Sequence, residues 1–250
     1  AAVAVAAPTL ASGIGTVVVD RWRNEALRQG GVARATVNDM YARVGESWLE
    51  DRLDPLQKDF LEKTVAFYEG QTAKASRDPA VRLEHGEMLR RMADVYAKFG
   101  RDADAEDAYN RSLALLRPLA EAPDADPVAR RAAASAATRF AEAQFRRDRY
   151  DEAAALYGEA EALIRPRVAE APAPVADDLR QLARTLRGEG QLLRRKGDLA
   201  AARPAYEESR KLLEEAVVVE PQSPEIRGEL AESLDYLARG LRELGDSTAA

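Results

Sequence analysis

Tyr96-Ala97-Lys98-Phe99-Gly100-Arg101-Asp102-Ala103-Asp104-Ala105-Glu106-Asp107-Ala108-Tyr109 is the stretch whose reading decides the fold. Gly100 stands where a helix C-terminus needs a left-handed residue, and Ala105 and Tyr109 lie one turn apart on one face of the helix that follows. The phrase returns as Asp148-(4)-Ala153-(3)-Tyr157 and as Gly197-(4)-Ala202-(3)-Tyr206, and a fourth copy breaks off after its turn at Gly245. The turn residues stand 48, 49 and 48 positions apart. Self-similarity at a fixed long period predicts an array of helical hairpins in place of one globular core, and such arrays usually bind and seldom catalyse.

An independent signal gives nearly the same period. Asp78-Pro79, Asp126-Pro127 and Ser223-Pro224 each place an acceptor side chain at an N-cap with proline at the first helical position, and Ala173-Pro174 is a weaker version without the capping oxygen. These prolines are 48, 47 and 50 residues apart. Each unit therefore reads as a first helix of about 20 residues, a short turn and a longer second helix. A loop with Pro123, Pro172 or Pro221 follows. Ala105, Ala153 and Ala202 fall where the second helix crosses the first, and Tyr109, Tyr157 and Tyr206 are placed to fill the wedge as the helices diverge. Asp148 is a tolerable substitute for glycine in the turn.

These residues resemble the 34-residue tetratricopeptide repeat. The first unit matches through Ala93, Tyr96, Gly100, Ala105 and Tyr109, with Ser112 in place of the last alanine. The second matches through Ala141, Ala153, Tyr157 and Ala160 but departs at Gln144 and Asp148. The third keeps Gly190, Gly197, Ala202 and Tyr206, with Leu193 and Ser209 elsewhere, and the partial fourth offers Leu234, Leu237, Ala238, Leu241 and Gly245. The resemblance implies an all-α fold, a right-handed superhelical α-solenoid of hairpins lengthened to about 48 residues. The repeats are expected over 78–246, as 78–125, 126–172, 173–222 and a partial 223–246, with a tail at 247–250.

Residues 1–19 carry no charge, close to the roughly 20 residues of a membrane-spanning helix, so an N-terminal apolar helix is expected there as a single-pass anchor. Competing readings are the apolar part of a signal peptide and a buried or disordered alanine-rich lead. Residues 20–77 are helical in character, with a helix start at Asp54-Pro55. Asn38-Asp39-Met40-Tyr41 through Trp48-Leu49, then Leu56-Gln57-Lys58-Asp59-Phe60-Leu61-Glu62-Lys63 and Phe67-Tyr68-Glu69, is similar to the region after the membrane helix in bacterial transmembrane serine/threonine protein kinases with C-terminal tetratricopeptide repeats. In that family the kinase domain precedes the membrane helix. The resemblance implies that this chain is the non-catalytic C-terminal part of such a kinase, with the repeats outside the cytoplasm. Arg21, Arg23 and Arg28 after the apolar span argue the other topology by the positive-inside rule. A chain that begins at Ala1 without methionine and stops just after a repeat's first helix is expected to be a fragment.

The chemistry of an enzyme is absent from these residues. There is no glycine-rich phosphate loop, His-Arg-Asp catalytic loop or Asp-Phe-Gly magnesium motif. No cysteine is present, so thiolate zinc sites are excluded; His85, the one histidine, stands near no nucleophile motif and reads as a structural or exposed side chain, and no metal or cofactor is expected. Adjacent carboxylates such as Glu106/Asp107 and Glu207/Glu208 read as solvated helix faces. A net charge of −6 argues against nucleic acid as a partner.

What remains is a protein or peptide ligand. In tetratricopeptide arrays the first helices line a groove, and the resemblance places Glu87, Arg90, Asp94 and Lys98 there from the first unit, and Thr138, Glu142, Phe145 and Arg146 from the second. The third contributes Arg184, Arg187, Gln191, Arg194 and Arg195, and the fourth Arg239 and Arg242. Arginine forks suit carboxylates, so an acidic or C-terminal peptide is the expected ligand, docking on Arg187, Arg194 and Arg195. Phe145, the one large apolar side chain of the set, is a candidate peptide anchor; the alternatives are that these arginines pair with acids on neighbouring helices and that Phe145 packs between repeats. A freestanding secreted or periplasmic repeat protein, or the substrate-binding arm of an enzyme, are the competing functions.

Overall fold

The computed structural model describes residues 78–243 together with Lys63 and Gly245. Apart from Lys63, the expectations for the apolar span 1–19, for residues 20–77 and for the tail at 247–250 lie outside these residues. Residues 78–243 form seven helices joined by turns, all within one compact unit, Val65–Ala250. They are α1 (Pro79–Lys98), α2 (Asp102–Ala120), α3 (Pro127–Arg146), α4 (Tyr150–Glu170), α5 (Ala176–Arg195), α6 (Leu199–Val219) and α7 (Pro224–Glu243).

Local sequence sets most of these boundaries. The Asp78 carboxylate accepts from the Ala80 amide at 2.9 Å and that of Asp126 from Val128 at 2.8 Å, so α1 and α3 start at their prolines. Ser223 holds the start of α7 through the Ile226 amide at 3.4 Å. The helix after Ala173-Pro174 differs: α5 begins at Ala176, with Val175 extended and no side-chain cap. Without a capping oxygen nothing fixes the chain at Pro174, and the acidic first turn, Asp177 and Asp178, faces the positive end of the helix instead.

Each turn is closed in the same way. Gly100, Asp148, Gly197 and Gly245 take positive φ of 69°, 58°, 84° and 77°. The amide after each of the first three reaches back to the carbonyl five residues earlier: Arg101 to Tyr96 at 2.9 Å, Arg149 to Gln144 at 3.0 Å, Asp198 to Leu193 at 2.9 Å. This is the Schellman arrangement that satisfies the orphan carbonyls of a helix end. A left-handed aspartate costs about 1–2 kcal/mol relative to glycine. Its carboxylate is tied locally by the Tyr150 hydroxyl.

Second helices of 19, 21 and 21 residues match the first helices at 20, so the longer second helix expected from the sequence is not found. Pro118, Pro166 and Pro204 lie inside them, and the chain leaves each one shortly before Pro123, Pro172 or Pro221.

Ala105, Ala153 and Ala202 are buried at the helix crossings, and Tyr109, Tyr157 and Tyr206 are among the most buried side chains. The tyrosines reach further than the wedge inside one hairpin. The Tyr109 ring stacks on Phe140 of α3 at 5.1 Å, and the Tyr206 ring on Tyr236 of α7 at 6.1 Å. Tyr157 meets Gly188 of α5, where a Cβ would lie 2.4 Å from the ring. Each ring therefore seals its own hairpin against the next one.

Successive first helices, α1 on α3, α3 on α5 and α5 on α7, pack directly, while α2, α4 and α6 do not pack closely on one another. Long side chains span that outer gap. Arg117 forks onto Glu159 at 2.6 and 2.7 Å, and Arg165 onto Glu208 at 2.6 and 3.1 Å. Tight inner contacts and bridged outer ones curve the stack, with the first helices on the concave side.

Candidate interaction groove

The concave face is built from α1, α3, α5 and α7. In the first hairpin Arg90 is only 8% exposed, and its Nη1 donates to the Asp94 carboxylate at 2.7 Å. The other Asp94 oxygen accepts from the Tyr109 hydroxyl at 2.5 Å. Burial, followed by that carboxylate, pushes the tyrosine pKa well above its ordinary value. Glu87 and Lys98 are half-buried on the same helix.

In the second hairpin Glu142 accepts both arms of Arg184 from α5, at 2.9 and 3.2 Å. Burial alone would raise the glutamate, but Arg184 and Arg139 outweigh it and bring the pKa down to about 2. Thr138 is fully buried, shares a 2.9 Å hydrogen bond with Thr185 of α5, and accepts from the Gln181 amide at 3.0 Å. Phe145 packs against the cluster of Ala141, Ala153, Tyr157 and Leu192, with its ring tilted over Tyr150 at 5.8 Å. It lies between repeats.

The basic row of the third hairpin is largely engaged. Arg184 holds Glu142, Arg187 pairs with Glu232 of α7 at 2.8 Å, and Arg194 pairs with Glu243 at 2.7 Å. Arg187 is 8% exposed and lies 6.0 Å from the centre of the Tyr236 ring. Gln191 is half-buried between them in sequence. In the fourth unit Arg239 pairs within its helix with Asp235 at 2.5 Å.

A second set of cations stands apart. Arg146 and Arg195 are exposed at the ends of α3 and α5, and Arg242 is exposed in the last turn of α7. Arg195 reaches the Tyr150 hydroxyl at 3.1 Å, and Arg242 the carbonyl of Ala238 at 3.3 Å. Among the described residues none of the three forms an ion pair. A cavity of about 150 Å³ opens beside Arg146, between Tyr109, Phe140, Gln144 and Arg147.

Several polar connections escape sequence reading. Asp178 is 1% exposed and receives Arg131 of α3 at 2.9 Å and Arg167 of α4 at 2.8 Å, clamping three helices. Ser112 and Ser209, departures from the repeat's alanine, donate to the carbonyls of Gly86 and Ala183 at 2.7 and 2.8 Å. Their common spacing of 26 residues from the acceptor is the signal that was available.

Among the described residues no group of histidine, aspartate and glutamate could hold a metal ion, and no helix is long and apolar enough to cross a membrane.

No family model matches the chain, and no curated protein matches it. Among solved structures, BtubC (BKLC) from P. vanneervenii is similar in shape, with a TM-score of 0.54 and 14% identity over 91% of this chain and 86% of that one. A Podosopora anserina kinesin-light-chain-type protein with nearly identical TPR-like repeats aligns with a TM-score of 0.44 and 18% identity, over 87% of this chain and 88% of its own. At this identity the likeness concerns the fold alone, which among the described residues is an all-helical stack of hairpins.

Proposed function

We propose that this chain is a protein-interaction scaffold whose concave face holds an acidic peptide segment. The observation that carries the reading is the division of the groove cations into two sets. Arg184, Arg187 and Arg194 are committed to carboxylates of neighbouring helices, whereas Arg146, Arg195 and Arg242 are exposed without an ion pair among the described residues. Arg195 and Arg242 are engaged only through Nε, so their Nη groups stay available to an incoming acid. Three of them, near the C-terminal ends of successive first helices, form a basic lip along which an extended acidic segment would lie. The C-terminal ends of helices also favour cations, so the lip costs the fold little.

The test is fluorescence anisotropy with a labelled octaglutamate peptide. Arg146→Glu, Arg195→Glu and Arg242→Glu together are expected to weaken binding at least tenfold, and rising salt to weaken it in the parent chain. Unchanged affinity in the triple variant would sink the groove reading.

We further propose that residues 1–19 anchor the scaffold in a membrane, with the repeats outside the cytoplasm, as the C-terminal part of a serine/threonine protein kinase. The uncharged run and the kinase-like stretch 38–69 support that reading. Protease accessibility on intact cells tests the topology, and recovery of the chain in the soluble fraction would refute the anchor.

A further inference from the structure

The cavity of about 150 Å³ beside Arg146 lies in the seam between the first two hairpins, and the repeat register explains its presence. Ala97 stands three positions before the turn at Gly100, Phe145 three before Asp148, and Arg194 three before Gly197. Asp102 and Tyr150 correspond two positions after their turns, and Ala143 and Leu192 five positions before the turns that end α3 and α5. In the second seam Phe145 and Tyr150, their rings 5.8 Å apart, pack against Ala153, Tyr157 and Leu192. In the first seam the same three large positions hold Ala97, Asp102 and Ala143, and all three line the cavity. The third seam has Arg194 there, with its Nη1 on Glu243 at 2.7 Å. The cavity is therefore the volume that Phe145 and Tyr150 take up one repeat later.

Its walls suit the same kind of guest. Tyr109 and Phe140, stacked at 5.1 Å, supply an apolar side together with Ala105. The Tyr109 hydroxyl already donates to Asp94. An apolar cavity of about 150 Å³ accepts benzene, so one ring fits. At the mouth Asp102 and Glu106 are both held by Arg147, at 3.7 and 2.8 Å, whereas Arg146 has no ion pair among the described residues. The charge that remains at the rim is positive, and it favours a guest flanked by carboxylates over one flanked by cations.

We propose that this cavity is a subsite for an aromatic side chain of the bound peptide, with Arg146 holding a carboxylate next to that side chain in the peptide. The ring enters where Phe145 sits one repeat later and meets the Tyr109–Phe140 pair, a contact worth more to a ring than its buried area alone. The second and third seams are closed by their own side chains, so a single ring is read. Its place fixes the register of an otherwise uniform acidic segment along the basic lip. This inference rests on the reading that the concave face binds an acidic segment.

Fluorescence anisotropy with three labelled peptides tests it: octaglutamate, and the same peptide with phenylalanine or alanine in place of its fourth glutamate. The phenylalanine peptide is expected to bind the parent chain about tenfold or more tightly than the alanine peptide, the gain from burying one ring. Ala97→Phe supplies the ring from within and is expected to bring the two peptides within about twofold of each other, because a filled cavity has no room for a second ring. Ala143→Leu, a smaller filling, should narrow the same ratio. Equal affinity of the phenylalanine and alanine peptides for the parent chain overturns the subsite, and that result needs no variant. A ratio that persists unchanged in a folded Ala97→Phe overturns it as well. In either case, loss of octaglutamate binding on the Arg146/Arg195/Arg242 reversal leaves the groove reading standing. If none of the three peptides binds the parent chain, both fall.

Discussion

At the scale of single residues, the seams between hairpins are decided by what faces a tyrosine. Gly188 is the sharpest case, because a Cβ would lie 2.4 Å from the Tyr157 ring, whose hydroxyl is also within 2.6 Å. Tyr157 is itself buried and has no room to shift. Gly188→Ala is therefore expected to destabilise the chain by roughly 1–3 kcal/mol, as overpacking does. Gly158, in the body of α4 with open space around its Cα, is the control: Gly158→Ala should stabilise by roughly 0.5–1 kcal/mol through helix propensity. Thermal melts of the two variants moving in the same direction would contradict this account. The recurrence of Gly100, Ala105 and Tyr109 was legible in the sequence because the turn, the alanine and the tyrosine keep fixed offsets within every hairpin. The need for Gly188 was not, since it depends on where the following hairpin lands.

At the scale of elements, α4, α5 and α6 meet around a group of like charges. Burial, then the neighbouring Glu161 of α4, push Glu189 of α5 up to about 7 from an ordinary 4.5, with Arg165 opposing and Glu208 of α6 reinforcing the rise. Arg165 is already shared between Glu161 and Glu208, so it has little left to offer a third carboxylate. An acid whose pKa is raised by folding binds more protons folded than unfolded. Its contribution is harmless below pH 4.5, and stability falls as pH rises through 4.5 to 7, by roughly 3 kcal/mol at most. Glu142 runs the other way. Its folded pKa of about 2 gives stability that is present above pH 4.5 and is lost as pH falls from 4.5 through 2, so it does not interfere in the window. Glu189→Gln should flatten the melting temperature between pH 5 and 7.5, and a parent chain whose melting temperature is already flat there would refute the assignment. Helix starts were legible at this scale wherever an acceptor preceded proline. The start of α5 was displaced by two residues because Ala173 offers no acceptor, and the ion pairs linking first helices depend on a register between repeats that a single repeat does not encode. For the same reason the groove arginines were found by position, but which of them are free was not.

For the molecule as a whole, the 48-residue period carried the architecture, and the curvature came from a difference between inside and outside that no periodicity expresses. First helices touch directly, while the second helices are joined across a gap by Arg117–Glu159 and Arg165–Glu208. Each hairpin then depends mainly on its immediate neighbours, which makes stability a sum of local terms along the stack. Tyr236 tests this at one end. It stacks on Tyr206 and lies under both Arg187 and Arg239, at 6.0 and 5.8 Å from its ring centre, so Tyr236→Ala removes the cover of one seam and leaves the others intact. The expected cost is roughly 1–2 kcal/mol, less than for a fully buried ring because Tyr236 is half-buried. In a stack held by neighbour contacts, amide exchange should accelerate in α6 and α7, less in α5, and not in α1 or α2. A uniform acceleration from α1 to α7 would mean that the hairpins unfold as one cooperative unit, with the groove opening and closing as a whole.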